Sequence, residues 1–87
     1  MQMMDDTQFF GVESESKQSV RDTIELVYQA LKTKGYNPVN QIVGYIMSGD
    51  PTYITSYDNA RSRIMKVERD ELVEEMLLSY IKVNHLD

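Results

Sequence analysis

Apolar positions along the chain recur at helical spacing in three blocks, separated by polar and turn-forming residues. Val20, Ile24, Val27, Tyr28 and Leu31 fall on one narrow stripe, which predicts a first helix from about Ser16 to Lys34. Ser16 is placed to cap its first turn, and Lys32 and Lys34 sit near the negative end of the helix dipole. Gly35 then offers a left-handed stop, with Tyr36 packing back on the last turn. A second helix follows at once. Asn37 is a good N-cap, Pro38 suits the first helical position, and Val39, Ile42, Val43 and Ile46 make the apolar stripe. Gly44 weakens this helix but permits close approach of another backbone. Gly49 ends it.

Asp50-Pro51 repeats the cap-then-proline pattern, and Thr52 to Tyr57 reads equally well as one helical turn or a tight loop. From about Asp58 to Asn84 the pattern is helical again. Ala60, Ile64 and Val67 share one face, while Leu72, Val73, Met76, Leu77, Tyr80 and Ile81 cover a broad arc. At ~100° per residue the two sets are centred on nearly opposite sides of a straight helix. Either the helix breaks near Arg69-Asp70, with Asp70 recapping, or its halves meet different surfaces. The second arc is wider than one packing partner needs, so its six residues are read as core and dimer interface. The alternative is a central helix wrapped by its own subunit.

Residues 1–15 lack this periodicity and carry Asp5, Asp6, Glu13 and Glu15 without a Lys or Arg. They read as a disordered acidic tail ahead of one helical domain over 16–84. The expected fold is all-α: a compact bundle of about four short helices, homodimeric, with a flexible N-terminal tail.

Composition then narrows the function. The chain has 87 residues, enough for one domain with a thin core. It has no cysteine, so neither a disulfide nor a thiolate metal site can staple it, and self-association is the remaining device. A net charge of −5 opposes binding to nucleic acid and to anionic membranes. No apolar run approaches the ~20 residues of a membrane span, and the N-terminus lacks the basic and apolar regions of a secretory signal. A cytoplasmic location is the expectation.

The search for chemistry returns little. His85 is the single histidine, and no His, Asp and Glu residues fall at metal-ligand spacing. Gly44 and Gly49 fit no phosphate-binding loop, and Ser48-Gly49-Asp50 without a nearby histidine supports no serine triad. Catalytic residues, metal and cofactors are therefore expected to be none. Arg61, Arg63, Lys66 and Arg69 form a basic cluster able to receive a phosphate through charge-assisted bonds. The competing reading pairs them with Asp58, Glu68, Asp70 and Glu71 along the helix. Thr7, in Asp5-Asp6-Thr7-Gln8-Phe9, is a tail hydroxyl accessible to a kinase.

One long run carries a resemblance. Lys34-Gly35-Tyr36-Asn37-Pro38-Val39-Asn40-Gln41-Ile42-Val43-Gly44-Tyr45 continues as Ile46-Met47-Ser48-Gly49-Asp50-Pro51-Thr52-Tyr53-Ile54. Asn59-Ala60-Arg61 and Glu68-Arg69-Asp70-Glu71-Leu72-Val73-Glu74-Glu75 follow. Together, over about Val20 to Tyr80, these resemble the IreB family, small regulatory phosphoproteins of Gram-positive bacteria. The resemblance implies an all-helical homodimer that is a substrate of a membrane Ser/Thr kinase with extracellular PASTA domains, its phosphate removed by a partner phosphatase. It further implies a regulatory role in cell-envelope stress signalling and resistance to cell-wall antibiotics, and no enzymatic activity. The family's phosphoacceptors are tail threonines in an acidic-Thr-x-x-Phe context, which Thr7 and Phe10 match. Met4 stands where a second acceptor is expected, leaving Thr7 as the single carried-over site.

The expected function is a regulatory phosphoprotein that works through protein–protein contacts with an undetermined downstream protein. Two rivals remain in view. A small helix-turn-helix-like transcription regulator needs exposed basic residues on its second helix, and Pro38 to Ser48 contains none. A purely structural helical subunit needs no phosphorylation.

Overall fold

A computed structural model describes the backbone of residues 5–86 and the side chains of residues 18–86. It contains four α-helices: α1 (Asp5–Thr33), α2 (Pro38–Ser48), α3 (Ala60–Ile64) and α4 (Arg69–Val83). Single 3-10 turns at Pro51–Tyr53 and Tyr57–Asn59 link α2 to α3, and among the described residues there is no strand. Helix α1 begins at Asp5, not at the expected cap Ser16, so the backbone of residues 5–15 continues the helix where a tail is expected. Residues 1–4, and the side chains of residues 5–17 with Thr7 among them, lie outside the described residues.

Helix α1 is the spine of the core. Its buried face is Val20, Thr23, Val27, Ala30 and Leu31, with Ile24 partly covered. This is the expected stripe with Thr23 and Ala30 added; Tyr28 turns toward solvent, where the Lys32 ammonium lies over its ring at 5.9 Å. Gly35 ends the helix in the left-handed conformation (φ 87°), and the Tyr36 N–H closes on the Leu31 carbonyl.

Helix α2 begins as its caps dictate. The Asn37 side chain accepts from the Asn40 N–H at 3.1 Å, and Pro38 follows. Gly49, at φ 76°, returns its N–H to the Tyr45 carbonyl. The buried face differs from the expected stripe: Ile42 and Tyr45 are buried and Ile46 partly so, while Val39 is 63 % exposed and Val43 is also open. At ~100° per residue, Val39 and Val43 sit at the rim of an arc that centres on Ile42 once Tyr45 is included. The large Tyr45 ring draws that side of the helix inward. The Tyr53 ring meanwhile fills the space beside Gly44, so a Cβ there would stand 2.5 Å from the ring.

The segment after α2 is two turns, not one loop. Asp50 caps the first, and Ile54 then drops into the core with no exposed surface. Asp58 and Asn59 both have left-handed backbones (φ 55° and 61°), a bend that costs non-glycine residues free energy. The bend aims α3 so that Ala60 and Ile64 close over α1.

The final helical region is interrupted. Helix α3 stops at Ile64, and α4 starts at Arg69 with the Glu71 side chain accepting from the Glu68 N–H at 3.1 Å. The expected break is real but lies at Met65–Glu68, and Glu68 takes the cap position in place of Asp70. The break resolves the opposed arcs: Ala60 and Ile64 face the core from α3, and Leu72 faces it from α4.

Ile54 is the informative site for stability, because it is a loop residue seated in the core. Ile54→Ala is expected to cost ~2–5 kcal/mol, read by urea denaturation. Val39→Ala, on the exposed rim of α2, is expected to cost under ~0.5 kcal/mol. Equal costs would contradict the placement.

Candidate functional site

Two features of the surface are candidates: the basic residues between α2 and α4, and the apolar side chains the core leaves outside. The first is built by backbone carbonyls. Arg61, half-buried on α3, donates from Nε to the Ile54 carbonyl at 2.8 Å. Arg69, at the start of α4, donates from Nη1 to the Ile46 carbonyl at 2.9 Å. Its guanidinium also lies over Gly49, so close that a Cβ there would stand 2.9 Å from it. Arg69 thus satisfies a carbonyl in the last turn of α2 and joins two helices that are distant in sequence. Ile54 and Ile46 are near-neighbours of Asp50, and the Arg61 charge adds to the forces holding that carboxylate ionised.

Asp50 itself accepts from the Thr52 hydroxyl at 2.7 Å and from the Thr52 N–H at 3.0 Å. These two bonds, the hydroxyl's first, lower the Asp50 pKa below the usual carboxylate value; the Arg61 charge lowers it further.

The four basic residues are placed as follows. Arg61 borders an open depression of about 210 Å³, with Ser56, Asn59, Ser62 and Met65 as its other walls. Arg69 stands at the end of α2, Arg63 is half-buried and Lys66 is exposed. The competing expectation, pairing with Asp58, Glu68, Asp70 and Glu71, also finds no ion pair. Among the described residues the ion pair present is Arg21–Glu75, at 3.2 Å, which ties α1 to α4.

The second feature lies mainly on α4. Of the six residues read as core and dimer interface, Leu72 is fully buried and Met76 and Ile81 are partly covered. Val73, Leu77 and Tyr80 are exposed, Tyr80 at 60 %. Leu78, Val83 and Leu86 are exposed as well and extend the apolar surface toward the C-terminus. The sequence reading passed over these three, and it passed over Met47, which is 78 % exposed on α2. A signal for the α2 face was present: no residue from Gly35 to Gly49 carries a charge. Thr7 belongs to the backbone of α1, and its side chain lies outside the described residues. No helix among the described residues is long and apolar enough to cross a membrane.

Comparison with known proteins returns a consistent result. A family described as IreB regulatory phosphoprotein matches residues 5–82. A UPF0297 protein of Lachnoclostridium phytofermentans is 63 % identical over 86 residues, covering 99 % of this chain and 97 % of its own. A UPF0297 protein of Acetivibrio thermocellus is 60 % identical over 77 residues, covering 88 % of this chain and 86 % of its own. Another from Ruminiclostridium cellulolyticum is 54 % identical over 82 residues, covering 94 % and 92 %.

The polar fastenings make a prediction about stability and pH. Arg69→Ala is expected to lower stability by about 1 kcal/mol through loss of the carbonyl bond, measured by urea denaturation. Asp50→Ala removes a cap whose folded pKa is depressed. The Asp50 contribution is therefore complete above the ordinary carboxylate pKa of ~3.9 and is lost as pH falls through the lower folded value. The stability gap between wild type and Asp50→Ala should narrow below about pH 4; a gap that widens on acidification would refute the assignment.

Proposed function

The chain belongs to the IreB regulatory phosphoprotein family, and from that premise we propose that it regulates by protein–protein contact under the control of a Ser/Thr kinase. In this reading two copies form the working unit. Thr7 receives the phosphate, and a phosphatase removes it. The kinase is of the PASTA-domain type and the signal concerns stress on the cell envelope, as the resemblance to the family implies. The compartment is the cytoplasm.

The observation that carries the interaction role is the exposed apolar surface of α4. Val73, Leu77, Leu78, Tyr80 and Val83 of α4, and Leu86 just beyond it, are exposed on a chain of 87 residues. Exposed apolar side chains in this number on a small domain mark a contact site. A second copy is its occupant in this reading. The first half of α4 carries Asp70, Glu71, Glu74 and Glu75, whereas from Met76 to Leu86 the only Lys, Arg, Asp or Glu is Lys82. Two such C-terminal halves can meet with little like-charge repulsion.

Phosphate on Thr7 adds ~−1.5 to −2 charges to a segment already acidic. Arg61 and Arg69 are the receivers this reading assigns, because their remaining guanidinium nitrogens retain donor capacity beside one carbonyl bond each. Arg63 and Lys66 add positive field. The helix-turn-helix rival draws no support from α2, whose exposed side chains include no cation.

Two measurements test this. Incubation of the full chain with the cognate kinase, followed by mass spectrometry, is expected to place phosphate on Thr7 and to give none in Thr7→Ala. Modification confined to Ser14, Ser16 or Ser19 would rule out the site. Separately, Tyr80→Asp with Leu77→Asp is expected to turn a dimer into a monomer in sedimentation at micromolar concentration while the helical circular dichroism is kept. An unchanged dimer would remove α4 as the seam.

A further inference from the structure

The segment that leads into α3 forgoes the capping bonds its residues are suited to make. Ser56 precedes the 3-10 turn Tyr57–Asn59, and Asn59 precedes α3; serine and asparagine are both strong N-caps. A capping residue normally has an extended backbone. Ser56 stands at φ −81°, ψ −5° and Asn59 at φ 61°, ψ 20°, and neither side chain makes a cap bond. Asp58 is left-handed as well. Two successive left-handed residues cost free energy, no cap offsets it, and strain of this kind collects at ligand clamps and switches.

The uncommitted side chains share one place. Ser56 and Asn59 wall the open depression of about 210 Å³ that Arg61 borders. Arg61 is fixed there, since its Nε donates to the Ile54 carbonyl at 2.8 Å, and its Nη groups keep their donors for a ligand. Ser62 and Met65 complete the walls, with the Ser62 hydroxyl donating to the Asn59 carbonyl. The N–H groups of Asn59, Ala60 and Arg61 are already closed on the Ser56, Tyr57 and Thr55 carbonyls. The site is therefore built of side chains and not of a helix end.

Charge selects what fits. No carboxylate is among the walls. Asp50 lies in the field of Arg61, but its carboxylate is engaged by Thr52 and forms no ion pair with the guanidinium. Arg63 and Lys66, next along the chain, add positive field and are likewise without an ion pair among the described residues. Donors from three residues, with no acid beside them, suit an anion with three terminal oxygens. Met65, 56 % exposed, supplies one apolar wall for the carbon that carries the anion. We propose that this depression receives a phosphate monoester on a threonine or serine side chain, the phosphate oxygens meeting the Arg61 Nη groups, the Ser56 hydroxyl and the Asn59 side-chain amide. The inference deepens the receiver role given to Arg61 above. The source of the phosphate rests on that reading; the fit of the depression to it does not.

The test titrates the 15N-labelled full chain at fixed ionic strength with three probes: acetyl-Ala-phosphothreonine-Ala-amide, the same peptide without phosphate, and inorganic phosphate. The phosphopeptide is expected to shift the Ser56, Asn59 and Ser62 amides and the Arg61 Nε–H signal saturably, and the plain peptide to leave them in place. Inorganic phosphate, lacking the Met65 contact, is expected to bind at least ~3-fold more weakly. Two single variants then probe the donors. Ser56→Ala changes an exposed residue with no cap bond to lose, and Asn59→Gly relieves the left-handed strain, so both keep the fold. Each is expected to weaken phosphopeptide binding at least ~5-fold. Undiminished binding by both variants, no saturable shift up to ~10 mM phosphopeptide, or inorganic phosphate bound as tightly as the phosphopeptide would overturn the proposal. The probes are synthetic and no kinase enters, so failure of this site and failure of Thr7 as phosphoacceptor are told apart.

Discussion

Helices α2, α3 and α4 all pack on one face of α1, and that face is small. Val20, Val27, Ala30 and Leu31 of α1 supply four of the ten buried apolar residues, and Ile42, Tyr45, Ile54, Ala60, Ile64 and Leu72 close over them. Each later helix contributes one or two side chains to this cluster, and the 3-10 turns contribute none. Helix α3 is short because Ala60 and Ile64 are all it needs to deliver. Ile54 must arrive from an irregular segment because no helix passes over that part of α1. With so few apolar side chains available, the burial that opposes chain entropy is thin, as expected for a domain of this length.

A core this limited leaves the turns between helices to be fixed by polar bonds. Three side chains reach back to loop or helix-end carbonyls: Gln41 to Tyr53, Arg61 to Ile54 and Arg69 to Ile46. Asp50 closes its own turn through Thr52. These bonds gather around the path from α2 to α4, where the backbone twice enters left-handed conformation at non-glycine residues. The arginines there are structural fasteners as well as charges. A phosphate arriving at Arg61 or Arg69 would therefore act on groups that already determine how α3 and α4 sit. That coupling is a physical route from a modified residue to a change in helix placement.

Much of this was legible in the sequence, and the failures share a cause. Gly35 marks the end of α1, and Asn37-Pro38 and Gly49 mark the limits of α2, because each supplies a local backbone requirement that needs no tertiary information. The opposed arcs of Ala60-Ile64-Val67 and Leu72 to Ile81 left two readings, a break or one helix meeting two surfaces, because periodicity is local and the choice between them is not. Which side of α2 turns inward was not local. Tyr45 is buried against the core while Val39 and Val43 stay exposed, a choice that depends on contacts with the rest of the chain. The cap at Glu68 was missed because glutamate is a weak N-cap by itself, and its role depends on Glu71 three residues on. Basic residues offered a phosphate site by composition, but only the fold reveals that Arg61 and Arg69 spend bonds on carbonyls.

The two exposed apolar surfaces differ in a way that bears on regulation. The C-terminal half of α4 is broad and carries Lys82 alone among strongly charged residues, which suits a lasting contact between like surfaces. The outer face of α2 is narrower and wholly uncharged, with Val39, Val43 and Met47 exposed along it. A thin core and apolar side chains left outside it are two sides of one constraint. The chain has few apolar residues to bury, and those left outside differ in the charge of their neighbours: acids flank the start of α4, and none lies along α2.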